Sequence, residues 1–170
     1  MASNFEFYSP TRVIFGKGTE QRVGALVRKY GGTRVLVVYG GKSAIRSGVL
    51  DRAEKSLAEA GLSSWTLGGV VPNPHLDKVY EGIRIGRENG IDFLLAVGGG
   101  SVIDAAKAMW IKYEYPEITF EEMCKVFGIP PLRRKAHFCA ISSTSGTATE
   151  VTAFSIITDY QKGIKLSLIH

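Results

Sequence analysis

Two runs, Arg34 to Tyr39 (RVLVVY) and Phe93 to Val97 (FLLAV), carry apolar residues at nearly every position instead of every second one. A short stretch of that kind suits a strand buried on both faces, the condition of a parallel sheet held between helices. The intervals read as helices. From Thr19, placed as a cap, Val23, Leu26, Val27 and Tyr30 recur at helical spacing until Gly31-Gly32. Leu50, Ala53, Leu57 and Ala60 mark a second helix closed by Gly61. Leu76 to Asn89 marks a third, closed by Gly90, and Ser101 to Tyr113 a fourth. Trp65 to Leu67 and His137 to Ile141 add strands, and Ser155 to Thr158 with Lys165 to Ile169 make a final β pair. A short extended start covers Phe5 to Tyr8 and Arg12 to Phe15. Strand and helix alternate, which implies a doubly wound α/β sheet in one domain, residues 1–170. The last strand runs into His170 with no closing helix or polar tail, so a fragment of a longer chain is expected.

Composition excludes several classes. Lys and Arg outnumber Asp and Glu by 21 to 16, a net charge of +5, but the only tight basic run is Arg133, Arg134 and Lys135. That is a solvated loop and not a nucleic-acid surface, which needs charge clustered on one face. Apolar stretches such as Leu94 to Val97 fall far short of the ~20 residues of a membrane span, and no signal-peptide pattern opens the chain. Cys124 and Cys139 cannot form a disulfide framework, so a reducing cytoplasm is expected.

Three turns follow predicted strands, where ligands bind in open α/β sheets. The first is GGGSVIDAAK, Gly98 to Lys107. Gly99 and Gly100 let the backbone approach a ligand, Ser101 is placed to cap the helix, and Asp104 stands at capping-box spacing. The helix mouth would then present N–H groups and partial positive charge to a pyrophosphate. A capped helix without a ligand is the plainer alternative, but three successive glycines exceed what a cap needs. The second turn, Tyr39 to Gly48, holds Gly40, Gly41, Lys42 and Ser43 where NAD-selective enzymes often place a carboxylate. A lysine and a hydroxyl accept a 2′-phosphate, which favours NADP(H) over NAD(H); a basic surface loop is the alternative. The third, Ser142 to Thr152, groups hydroxyls including Ser143, Thr144 and Thr147 around Gly146. They can donate to phosphate or nicotinamide groups, or equally close turns against their own backbone.

Asn73, between Pro72 and Pro74, is either a rigid wall for a ribose or base or part of a stiff loop entering the next helix. Catalysts are scarce. His75, His137 and His170 lie far apart without metal-binding spacing, and no G-x-S-x-G elbow occurs. A cofactor platform is legible, and neither a catalytic residue nor a metal ligand is assigned.

The opening SPTRVIFGKGT, the PNP tripeptide, GGGSVIDAAK and TSGTATEVTAFSIITDYQKGIK together resemble the iron-containing (group III, metal-dependent) alcohol dehydrogenases, akin in fold to dehydroquinate synthase. The resemblance covers essentially the whole chain and is nearest the NADP-dependent butanol dehydrogenase or aldehyde reductase branch. It implies a Rossmann-like α/β domain binding NAD(P), followed by a helical domain holding a divalent metal, iron or zinc. It also implies hydride transfer with a small alcohol or aldehyde substrate, and a homodimer. By position, Gly99, Gly100 and Ser101 resemble the pyrophosphate turn, and Ser143, Thr144 and Thr147 the hydroxyl segment. Ile156 resembles a residue packing on nicotinamide, and Lys165 a lysine reaching the cofactor. Gly40 stands where NAD-preferring members have Asp. Phe154 replaces a polar residue near the substrate of several relatives. The family's metal ligands, one Asp and three His, lie beyond His170, so the helical domain is absent and the chain alone is expected to be inactive. The rival readings are a glycerol- or hydroxyacid-type dehydrogenase of the same superfamily and a non-catalytic nucleotide-binding module.

Overall fold

The computed structural model describes residues 10–125 and 136–169. Four strands form a parallel sheet: β1 (Arg34–Tyr39), β2 (Ser63–Leu67), β3 (Phe93–Gly98) and β4 (His137–Ser142), in the spatial order β2-β1-β3-β4. The two central strands are the two apolar runs. Every residue of β3 and Val35 to Val38 of β1 are buried, whereas Ser63, Ser64 and Thr66 on edge strand β2 are exposed.

Successive side chains of a strand leave opposite faces. Val35, Val37, Phe93, Leu95 and Val97 pack against α1 (Val23–Lys29) and α3 (Val49–Glu59), with short α2 (Lys42–Arg46) leading from β1 into α3. Leu36, Val38, Leu94 and Ala96 pack against α4 (Leu76–Asn89) and α5 (Gly100–Glu114). The one-turn α6 (Phe120–Met123) follows. Gly90, left-handed at φ 59, ends α4 as expected. Helices α1 and α3 cross so closely that the Gly24 N–H donates to Ser56 Oγ at 3.0 Å.

A separate antiparallel hairpin, β5 (Phe154–Asp159) and β6 (Ile164–Ile169), leans on α5. Ile157, Leu166 and Leu168 enter the α4/α5 core, while Phe154 and Ile156 face outward, 50% and 38% exposed.

The start of the chain departs from expectation. Residues 12–15 form no strand, and Phe15 is fully exposed; Phe5 to Tyr8 and the basic run 133–135 lie outside the described residues. Thr19 is not a cap. Gly18, left-handed at φ 77, holds that position ahead of a 3-10 turn (Thr19–Arg22), and Thr19 Oγ1 donates instead to the Gly16 carbonyl. Among the described residues no helix is long and apolar enough to cross a membrane.

Candidate nucleotide-binding site

An open α/β sheet binds ligands past its strands' carboxyl ends, where the winding direction reverses. Here β2 lies outside β1 and β4 outside β3, so the reversal falls between β1 and β3. Tyr39 pairs with Val97 there, and the chain continues into Gly40-Gly41 on one side and Gly98-Gly99-Gly100 on the other. The third turn joins them because Gly98 pairs with Ser142, and the Ser143 N–H donates to the Gly98 carbonyl at 3.0 Å.

The three turns touch. A β-carbon on Gly99 would stand 2.6 Å from Thr144 Oγ1, and one on Gly100 would stand 3.6 Å from Thr147 Oγ1. One on Gly40 would stand 3.2 Å from Val102 Cγ2 in the first turn of α5. Side-chain-free residues therefore let the hydroxyl segment close against the helix mouth. Gly41 is different: its β-carbon position is open, and Lys42 and Ser43 beside it are exposed.

The helix start corrects one expectation. Gly99, extended at φ −86 and ψ −171, is the N-cap of α5, and no side chain caps it. Its carbonyl accepts from the Val102 and Ile103 N–H groups at 3.0 and 3.2 Å. Ser101 thus lies inside the first turn and Asp104 is no capping-box partner. The cap stands two residues earlier than expected because the first helical bonds go to the Gly99 carbonyl, and a capping side chain must stand outside the first turn. Without a capping side chain, the first-turn N–H groups of Gly100 and Ser101, unused by the helix, remain for an anion at its positive end.

Asp104 points its carboxylate elsewhere. It accepts from Thr149 Oγ1 at 2.5 Å and from the Ile156 backbone N–H. Burial pushes its pKa above the ordinary value, while those two bonds and the nearby Lys107 ammonium oppose the rise. One turn on, buried Lys107 donates to the carbonyls of Thr149, Thr152 (2.8 Å) and Phe154 (2.9 Å), and to Thr149 Oγ1 at 3.1 Å. Burial lowers its pKa, against the pull of the Asp104 and Glu150 carboxylates. Sequence reasoning missed both Lys107 and Thr149. The available signal was a lone lysine within AAKAM, an otherwise apolar stretch of helix.

Asn73 is exposed and left-handed (φ 54), and its Oδ1 accepts from Lys165 Nζ at 3.0 Å. Lys165 pairs with Thr158, two residues along β5 from Ile156 and on the same side of the strand, although Thr158 itself is buried. The structure therefore brings Asn73, Lys165 and Ile156 together on the hairpin side and leaves Lys42 and Ser43 at the β1 side. A depression of about 370 Å³ adjoins the hairpin at Thr158, lined also by His75, Tyr80, Lys112, Phe120, Asp159 and Lys162. Its principal ionic groups are already engaged: Lys162 with Glu121, and Lys112 with the Pro116 and Ile118 carbonyls.

The protein-family model described as iron-containing alcohol dehydrogenase matches residues 10–170. The chain belongs to that family. It is 46% identical over 162 residues to the NADPH-dependent butanol dehydrogenase of Clostridium saccharobutylicum, covering 95% of this chain and 41% of that protein. It is 36% identical over 170 residues to NADH-dependent butanol dehydrogenase A of Clostridium acetobutylicum, covering 98% and 42%. The crystal structure of NADH-dependent butanol dehydrogenase A from Thermotoga maritima superposes with a TM-score of 0.91 at 31% identity, over 98% of this chain and 41% of that one. This iron-containing alcohol dehydrogenase chain thus spans about two-fifths of the length of the curated relatives it matches. The parallel α/β sheet expected from its strand pattern, and the Rossmann-like domain that the family resemblance implies, are what is observed.

Proposed function

We propose that this chain is the nucleotide-binding part of a metal-dependent alcohol dehydrogenase or aldehyde reductase that prefers NADP(H). One observation carries the reading: three turns converge past β1 and β3 on the uncapped mouth of a 15-residue helix. The residues fit a dinucleotide. The Gly100 and Ser101 amides receive the pyrophosphate, with the Thr144 and Thr147 hydroxyls beside them. Lys42 and Ser43 hold the 2′-phosphate, in a turn where Gly40 offers no carboxylate to repel it. Asn73, Ile156 and Lys165 flank the nicotinamide half. When bound, the nicotinamide supplies or accepts the hydride exchanged with a small alcohol or aldehyde. Among the described residues no group of three His, Cys, Asp or Glu side chains gathers to hold the family's divalent metal, so no step is assigned to one here.

Cofactor preference tests the reading, since relatives of both NADPH- and NADH-dependent kinds match. Nucleotide fluorescence is titrated with the purified protein and with Lys42→Ala. A charge-assisted phosphate contact at so exposed a lysine is worth about 1 kcal/mol after screening, or roughly fivefold in Kd. The variant is expected to lose that factor for NADPH and to bind NADH as before. Equal affinity of the unaltered protein for the two nucleotides contradicts the roles of Lys42 and Ser43.

A further inference from the structure

Helix α5 holds two groups on one face that no step above uses. Asp104 and Lys107 stand three residues apart, and each reaches across to the chain that follows β4. The Thr149 hydroxyl lies between them, donating to Asp104 Oδ1 at 2.5 Å and accepting from Lys107 Nζ at 3.1 Å. Lys107, 3% exposed, also gathers the carbonyls of Thr149, Thr152 and Phe154. Asp104 holds the Ile156 N–H with its carboxylate, and its own backbone carbonyl accepts from Ser155 Oγ at 2.7 Å. An ammonium buried this deeply is costly unless its donors are satisfied. Here all of them close on one segment, Thr149 to Phe154, where strand β5 begins.

We infer that Asp104 and Lys107 form a clasp that positions the nicotinamide-side residues, Ile156 above all, relative to the pyrophosphate mouth at the other end of the same helix. The inference rests on the nucleotide reading above. Lys107 lies about 10 Å along the helix axis from Gly100, at 1.5 Å per residue, so it is too far along to touch the pyrophosphate. Its carbonyl ligands, by contrast, end two residues before Ile156. One helix thus serves both halves of a dinucleotide, directly at its mouth and through the clasp at its second turn. Asp104 and Lys107 are positioning residues.

Loss of the clasp therefore separates the two halves of the ligand. The test compares NADPH with 2′-phospho-ADP-ribose, the same molecule without nicotinamide, in the protein and in Lys107→Met and Thr149→Val. Thermal unfolding is run beside each titration, and Thr149→Val, which keeps the side-chain shape and the three carbonyl contacts, decides if Lys107→Met does not fold. The variants are expected to bind 2′-phospho-ADP-ribose within about twofold of the unaltered protein. NADPH weakens about tenfold in Lys107→Met and less in Thr149→Val, and the nicotinamide fluorescence enhancement fades. Equal weakening of both ligands, or of neither, overturns the clasp. If the unaltered protein binds neither ligand, the nucleotide reading itself falls and takes this inference with it.

Discussion

Gly99→Ala separates a turn that merely packs from one that holds a phosphate. The added methyl would stand 2.6 Å from Thr144 Oγ1, so that oxygen must retreat by about 0.8 Å to reach ordinary contact at 3.4 Å. The backbone does not object, since φ −86 and ψ −171 is extended and open to alanine. The cost falls on Thr144, an exposed residue whose hydroxyl ends a short rotatable side chain. Turning it off its rotamer costs about 0.5–1.5 kcal/mol, or a fall of roughly 1–6 °C in Tm for a chain of this size. Nucleotide binding suffers more if the turn is the cradle, because methyl and displaced hydroxyl both intrude where an anion meets the Gly100 and Ser101 amides. Loss of a charge-assisted contact of about 1.5–3 kcal/mol weakens Kd roughly 10–150-fold. Thr144→Ala in the same chain removes the clash, so the double variant recovers stability but not affinity. The pair is measured by thermal unfolding and by NADPH titration as a double-mutant cycle. An unchanged Kd in Gly99→Ala, or full recovery of affinity with Thr144→Ala, refutes the cradle.

Two further outcomes follow from packing and charge. Gly24→Ala sets a methyl 2.0 Å from the Ser56 carbonyl oxygen, a backbone atom that cannot swing away, so α1 and α3 must part; stability is expected to fall by about 2–4 kcal/mol in denaturant titrations, and a loss under 0.5 kcal/mol contradicts the close crossing. Asp104, raised by burial, takes up its proton in the native state before the unfolded chain does at its ordinary 3.8, so acidification from neutral pH adds stability through this group, an increment lost again as pH rises through the raised value. The stability of the unaltered protein minus that of Asp104→Asn should therefore grow as pH falls from 7 to 4, and a flat or shrinking difference shows that burial does not dominate at that site.

Much of the site could be read from residues one after another. Gly98-Gly99-Gly100 after a buried run announces a strand-to-helix turn wherever the chain carries it, and the family resemblance rests on the same residues. The error at Ser101 arose from the same stretch. A serine followed three residues later by an acid satisfies the capping pattern, but the cap is the residue whose carbonyl takes the first helical bonds, and here that is extended Gly99, accepting from Val102 and Ile103. Lys107 stayed invisible for another reason. Its four acceptors lie 42 to 47 residues away in the chain, and no local pattern marks a lysine whose partners arrive only when the hairpin docks on α5.

The sequence by itself determined the alternation of elements, the continuous burial of β1 and β3, and the placing of glycine-rich turns after strands. These follow from side-chain period and backbone freedom, which act within a few residues. Tertiary structure alone decided which turns meet. The crossing of the chain from β2 over β1 to β3 puts Gly40 beside Val102, and the Gly98–Ser142 register puts Thr144 against Gly99. It also decided that Asp104 serves Thr149 and Ile156 instead of its own helix. A carboxylate's partner is set by what burial brings within about 3 Å, and that proximity is a property of the packed fold.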